Sequence, residues 1–204
     1  MLDTKAKILD TAERLFAERG FGATSLRRII GEAGVNLAAV HYHFRSKEAL
    51  LDAVLERRLE PVNRERLTLL DEFEKAAGEG PLEVEGVLVA LIAPPLRLRR
   101  EAAYSTFVKL MGRILAEGDL ATMRRHFGAT IDRFTRALHR ALPDLPREEL
   151  MWRAHFSVGC IAHTLLHSGV EVLGAPGEVT TESLVAFLAA GFRAAVPAGE
   201  RSHA

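Results

Sequence analysis

Two histidines, His163 and His167, stand four residues apart in "HTLLH" and would project from one face of a helix. That spacing suits a divalent metal, and His155 lies two turns earlier on a similar face. A metal-dependent helical enzyme or binding protein using His163 and His167 is therefore one reading of the chain. Against it, no Glu completes a His-Glu-x-x-His arrangement and no flanking Cys pair supplies a tetrahedral set. Cys160, the single cysteine, sits in "VGCIA" among apolar neighbours, which describes an inert thiol and excludes an intramolecular disulfide. No phosphate-cradling glycine loop and no Gly-x-Ser-x-Gly elbow occurs. The expectation is a non-enzyme without cofactor or metal.

A second cluster is of another kind. The segment "GVNLAAVHYHFRSKE" at 34–48 sets Leu37, Ala38 and Ala39 ahead of His41, Tyr42 and His43, with Lys47 behind them. Small side chains let a helix approach base edges closely and touch thymine methyl groups. His41, Tyr42 and His43 carry ring donors suited to phosphates or base edges at a groove wall. Lys47 stands at the start of the next helix, where the backbone N–H groups and the helix dipole favour an anion. Thr24, Ser25, Arg27 and Arg28 hold the corresponding position upstream and form a second phosphate clamp. The chain has 204 residues, with 27 Lys+Arg against 27 Asp+Glu, so any hold on nucleic acid comes from this local patch and not from overall charge.

These groups need helices to position them, and helical periodicity runs almost throughout. Ile8, Leu9, Ala12, Leu15 and Phe16 share a stripe, with Asp3 or Thr4 as cap and Gly20 as terminator. Helix two follows with Thr24 as its cap and Leu26, Ile29, Ile30 and Ala33 facing inward. Gly34 turns the chain into a short third helix through about His43. Ser46 caps a fourth that runs to about Phe73 with a kink at Pro61. Beyond "KAAGEGP", helices are predicted over about 81–98, 102–116, 119–142, 147–169 and 180–195, with Pro94-Pro95 kinking or ending the first of these early. Sustained period-two alternation is absent, so the fold class is all-α with about nine helices. No basic leader opens the chain, and no apolar run reaches the roughly 18 residues of a membrane span. The reading is cytoplasmic, without a membrane partner.

Two helices joined by a glycine turn, the second short and exposed, form the helix-turn-helix pattern. The stretch "ILDTAERLFAERGFGATSLRRIIGEAGVNLAAVHYHFRSKEALLDAV" resembles the DNA-binding domain of the TetR family of transcriptional repressors, in its "A..LF...G", its Thr-Ser opening helix two, its "I..AGV" and its "YHF.SKE.L". The resemblance implies a DNA-binding domain over 1–47 and a helical effector-binding and dimerisation domain over 48–204. It implies Thr24, Ser25, Tyr42, His43 and Lys47 as DNA-backbone contacts, with Leu37, Ala38 and Ala39 nearest the bases. Tyr is usual in that family where His41 stands here.

The resemblance further implies a homodimer on double-stranded palindromic operator DNA, released by a small molecule bound in the body. Phe73, Leu88, Ile92, Phe107, Leu110, Met111, Ile114, Met123, Phe127 and Phe134 are candidate pocket walls, being large and apolar on the middle helices. The later stretches "FVKLMGRILAEGDL" and "LERRLEPVNRERLTLLD" are similar to a fatty-acid-responsive branch. That likeness implies an apolar effector such as a fatty acid or its coenzyme A thioester, with Arg97, Arg99, Arg100 or Arg113 meeting the acidic end. Trp152, Phe156, Gly159 and His163 on the penultimate helix, with Leu184, Phe187 and Gly191 on the last, are the expected dimer surface.

Overall fold

The computed structural model describes residues 4–98, 101–117, 120–167 and 180–196, and among these every regular element is an α-helix. In order they are α1 (Thr4–Arg19), α2 (Leu26–Ala33), α3 (Leu37–Phe44), α4 (Lys47–Ala77), α5 (Val84–Leu98), α6 (Ala102–Glu117), α7 (Leu120–Ala141), α8 (Arg147–His167) and α9 (Thr181–Arg193). None is long and apolar enough to cross a membrane. The side chains of Ala39, Met123 and His167, and residues Arg99 and Arg100 entirely, lie outside the described set.

The periodic stripes become two apolar cores. Ile8, Leu9, Ala12, Leu15 and Phe16 of α1 pack with Ile29, Val40 and Phe44 and with Leu50, Leu51, Val54, Leu55 and Leu59 of α4. Phe107, Leu110 and Ile114 of α6 complete this first core. The second gathers Leu70 of α4 with Val87, Leu88 and Ile92 of α5, Phe134 and Leu138 of α7, Leu150 and Ile161 of α8, and Leu184, Leu188 and Phe192 of α9. The expected division at 47/48 thus falls at the first residue of a helix that serves both cores. Helix α4 runs on past Phe73 to Ala77, and α5 continues through Pro94 and Pro95 to Leu98 instead of ending early.

Two sequence assignments in the turn before α2 need correcting. Ser25, not Thr24, caps α2, its hydroxyl accepting from the Arg28 N–H at 3.2 Å. Thr24 is completely buried, and its hydroxyl donates to the carbonyls of Gly20 (2.8 Å) and Leu15 (3.2 Å), which orders the end of α1. A buried hydroxyl bonded within the fold cannot reach a phosphate, so Thr24 is a structural residue. Lys47 also turns inward. Its ammonium donates to the carbonyls of Phe21 (2.9 Å) and Thr24 (3.0 Å) and lies 4.2 Å from the centroid of the Phe21 ring. Its first role is to fasten the start of α4 to the α1–α2 turn. Gly34 ends α2 in the left-handed region at φ 64°, returning its N–H to the Ile30 carbonyl.

Charged pairs tie the remaining helices together. Glu13 of α1, almost wholly buried, accepts from Arg57 Nη2 (2.8 Å) and Arg58 Nε (2.9 Å) of α4. Arg133 of α7 pairs with Glu74 and with Asp71 (2.8 Å) near the end of α4.

Two outcomes follow. The Arg133 guanidinium holds the Glu74 carboxyl below its ordinary value of 4.5. Because the folded value is the depressed one, this stabilisation is fully present above about pH 4.5 and is lost as pH falls through the folded value. Urea unfolding followed by circular dichroism across a pH series should therefore show wild-type stability falling below about pH 4.5, and Arg133→Met should be less stable above that pH and flatten the fall below it. Lys47→Ala should lower stability by about 1–3 kcal/mol in urea unfolding, since two carbonyls lose a cationic donor; unchanged stability would show that these bonds carry no weight.

Candidate DNA-reading head and effector cavity

Helix α3 stands proud of the first core. Val40 and Phe44 anchor it, being buried at i and i+4, and leave the opposite face to solvent. On that face Leu37 is half exposed, Ala38 and His41 are exposed, and Tyr42 is 84% exposed. His43 is partly covered and stacks edge-on against Tyr42 with ring centroids 5.1 Å apart. Ala39, expected between these groups, lies outside the described side chains. An aromatic ring left in water at the end of a short helix gains nothing for the fold, but it supplies a donor hydroxyl on a projecting surface.

Ser25, Arg27 and Arg28 border the same region from α2, all exposed. Arg28 Nε donates to Glu32 at 3.1 Å, and Glu32 also pairs with Arg14, so part of its charge is neutralised locally. Arg45, absent from the predicted contacts, joins α3 to α4 in the left-handed region at φ 61° and is exposed. Its place in "FRSKE", between two helix boundaries, was the available signal. The head therefore brings together Ser25, Arg27, Arg28, Leu37, Ala38, His41 and Tyr42, while Thr24 and Lys47 support it from beneath.

Inside the body lies a cavity of about 180 Å³ bounded by α4 to α9. Of the candidate wall residues, Leu88, Phe107, Met111, Phe127 and Phe134 line it. The other predicted walls fall elsewhere. Ile92 is buried in the second core, whereas Leu110 and Ile114 fill the first, between α6 and the head. Phe73 lies at the far end of α4, where its ring covers Gly86 of α5, 3.0 Å from where a Cβ would stand. Met123 is outside the described side chains.

The wall also holds Leu59, Val62 and Arg66 of α4, Tyr104 of α6 and Ile161 of α8. Arg66 is the one charged residue among the described residues of the lining, and the sequence reading overlooked it. The signal was present: Leu55, Leu59, Val62, Arg66 and Leu70 recur at helical spacing, placing an arginine on an apolar stripe. The arginines expected to meet an acidic ligand are placed otherwise. Arg97 is exposed and pairs with Glu65, and Arg113 donates to the Glu18 carbonyl at 3.3 Å; neither is among the cavity's lining residues. Arg99 and Arg100 lie outside the described residues.

On the far side, Phe156, Gly159, His163 and Phe187 edge an open groove between α8 and α9. Trp152 stacks on Phe156 with centroids 6.1 Å apart, and Trp152, Phe156 and Phe187 are all more than half exposed. Leu184 reaches this groove but is buried in the chain's own core, so it is less an interface residue than its support. Gly191 is exposed on the outer side of α9 with open space where a Cβ would stand. His163 is exposed, and the His167 side chain lies outside the description. Among the described residues no group of three or more His, Cys, Asp or Glu could hold a metal ion.

Comparison with known proteins agrees with this geometry. The family described as "bacterial regulatory proteins, tetR family" matches residues 8–54, and that described as "tetracyclin repressor-like, C-terminal domain" matches 89–191. An uncharacterized HTH-type transcriptional regulator, YerO, of Bacillus subtilis is 37% identical over 84 residues, covering 41% of this chain and 28% of the relative. The HTH-type transcriptional repressor KstR2 of Rhodococcus jostii is 43% identical over 51 residues, covering 25% of each. The chain thus spans about a quarter of the lengths of these curated relatives. In fold, the fatty acid degradation regulator FadR of Bacillus halodurans superposes with a TM-score of 0.69 over 95% of this chain and 98% of that one, at 13% identity. The chain belongs to the TetR family of bacterial regulatory proteins, whose members are DNA-binding regulators and not enzymes.

Proposed function

We propose that this protein is a homodimeric transcriptional repressor that reads a palindromic operator with α3 and releases it when an apolar small molecule fills the body cavity. The observation that carries the reading is the sharing of α6 between head and cavity. Tyr104, Phe107 and Met111 line the cavity, and Phe107, Leu110 and Ile114 fill the core beneath the head. A ligand that displaces α6 must therefore displace the α1 face packed on it. Two heads of a dimer bind successive major grooves only at a spacing of about 34–36 Å, so a small rotation of each lowers affinity.

Several features support the dimer and the effector class. The exposed aromatic face of Trp152, Phe156 and Phe187, beside the small Gly159 and Gly191, suits close two-fold packing of α8 and α9 on a second copy. Pairing this face with itself forms a four-helix bundle and covers rings that otherwise stand in water. The fold likeness to a fatty acid degradation regulator favours a fatty acid or its coenzyme A thioester as effector. Operator DNA as the target assigns the protein to the cytoplasm.

Selection of bound duplexes from random DNA, followed by titration over a salt series, tests the regulator reading. A palindromic preference is expected, with affinity falling steeply as salt rises. Ala38→Glu, which sets a carboxylate on the groove face, should cost at least roughly a hundredfold in operator affinity while the dimer persists; normal affinity in this variant would sink the docking of α3. Phe187→Arg, measured by sedimentation, should shift the dimer toward monomer, and an undiminished dimer would rule out the α8–α9 face as the interface.

A further inference from the structure

Arg66 is the one buried charge among the described residues that faces no opposite charge. Glu13 has two arginines, and Arg153 has Glu149 at 3.2 Å as well as the carbonyls of Phe192 and Ala194. Arg66 is only 8% exposed, yet no described carboxylate lies within ion-pair distance of it. Burial alone lowers its pKa, to about 10, so at neutral pH it remains a cation in a wall whose other described residues are uncharged. An isolated buried charge costs several kcal/mol unless a partner compensates it, and hydrogen bonds to neutral groups leave it without a counter-ion.

The guanidinium is also oriented. Pro95 has no N–H and cannot make the helical bond back to the Leu91 carbonyl, and Arg66 Nε donates to that oxygen at 2.9 Å instead. Nη1 donates to Asn63 Oδ1 at 3.1 Å. With Nε and one Nη1 proton engaged, the two Nη2 protons and the second Nη1 proton have no acceptor among the described residues, and neighbouring guanidinium N–H groups match a carboxylate in bidentate fashion. The rest of the described lining is aliphatic or aromatic, apart from Thr130, Thr135, Ser157 and the Tyr104 hydroxyl, and no acid among these described residues competes for those N–H groups.

We infer that the effector is an amphiphilic monocarboxylic acid, taken up as the free acid and not as a thioester, whose carboxylate pairs with Arg66 while its hydrocarbon chain fills the cavity between α5, α6, α7 and α8. This assignment rests on the cavity being the effector site of the proposed repressor. It places the ligand charge on α4, the helix that carries Leu50 to Leu59 into the core beneath the head. Pairing then acts on two helices that reach the head, α4 through Arg66 and α6 through Tyr104, Phe107 and Met111.

The test is calorimetric titration of the full-length protein with decanoate, decan-1-ol and decanoyl coenzyme A, comparing wild type with Arg66→Met and Arg66→Lys. Decanoate should bind the wild type roughly tenfold to a hundredfold more tightly than decanol, the worth of a charge-assisted pair. In Arg66→Met that preference should vanish while decanol affinity holds, and Arg66→Lys, which keeps the charge but not the guanidinium, should retain only part of it. Should Arg66→Met fail to fold, the partial loss in Arg66→Lys carries the decision. Equal binding of acid and alcohol, no binding of decanoate, a preference undiminished in both variants, or tighter binding of the thioester than of the acid would each overturn the inference. Operator binding by the unliganded proteins is measured separately: its absence sinks the repressor reading, whereas the acid preference stands or falls on the titrations.

Discussion

A carboxylate removed from water holds the two halves of this molecule in register. Glu13 of α1 is enclosed, and its cost of burial is offset only while Arg57 and Arg58 of α4 stay within hydrogen-bond reach. Removing one member of such a buried set typically costs about 3–5 kcal/mol, because the charges left behind are uncompensated. The α1–α4 crossing is therefore fixed more firmly than apolar packing alone would fix it. Arg58 also lies over the Tyr104 ring, 5.1 Å from its centroid, so the same junction reaches α6 and the cavity wall. Head, connecting helix and cavity meet at one charged knot.

That knot ties the body to the head mechanically. Helix α4 has 31 residues and at about 1.5 Å per residue spans some 45 Å or so, long enough to touch both cores. A helix so anchored transmits a rotation along its length, since its Glu13 pairs resist slippage at one end and the Arg133 pairs with Asp71 and Glu74 resist it at the other. Helix α6 meets the head through Phe107, Leu110 and Ile114 and through the Arg113 hydrogen bond to the Glu18 carbonyl. Apolar contacts are less directional than ion pairs and can slide. The two connections are thus of different kinds: α4 is tied to the head by buried ion pairs, and α6 is packed on it mainly through apolar side chains.

How far the sequence revealed this depended on how local each signal was. The helices were legible because apolar periodicity and capping are properties of neighbouring residues, and the predicted spans over 102–116 and 119–142 lie within a residue or so of α6 and α7. Exposed head residues such as Tyr42 were legible for the same reason, since Val40 and Phe44 claim the inward face. Thr24 was misjudged, and the inward bonds of Lys47 went unseen, because a polar residue at a helix start serves equally for a phosphate or for the fold. The carbonyls of Leu15, Gly20 and Phe21 that decide between these come from a neighbouring element. Leu110 and Ile114 were misplaced for a related reason: their stripe on α6 is apolar all along, but it meets the head at one azimuth and the cavity at another.

Pro94 and Pro95 show where reading by neighbours fails altogether. Taken alone, a proline pair forecasts a broken helix, because each removes a backbone donor and crowds the preceding turn. The Leu91 carbonyl that Pro95 leaves unsatisfied is recovered by Arg66, 25 residues earlier, and the helix continues to Leu98. The proline and the arginine explain each other: without the freed carbonyl the guanidinium has no fixed orientation, and without the guanidinium a buried carbonyl goes unpaired. Neither residue announces its partner in the sequence. An unexpected charge on an apolar stripe and an unexpected proline in a continuing helix are each anomalous alone, and a search for pairs of such anomalies is the reading that would have found this site.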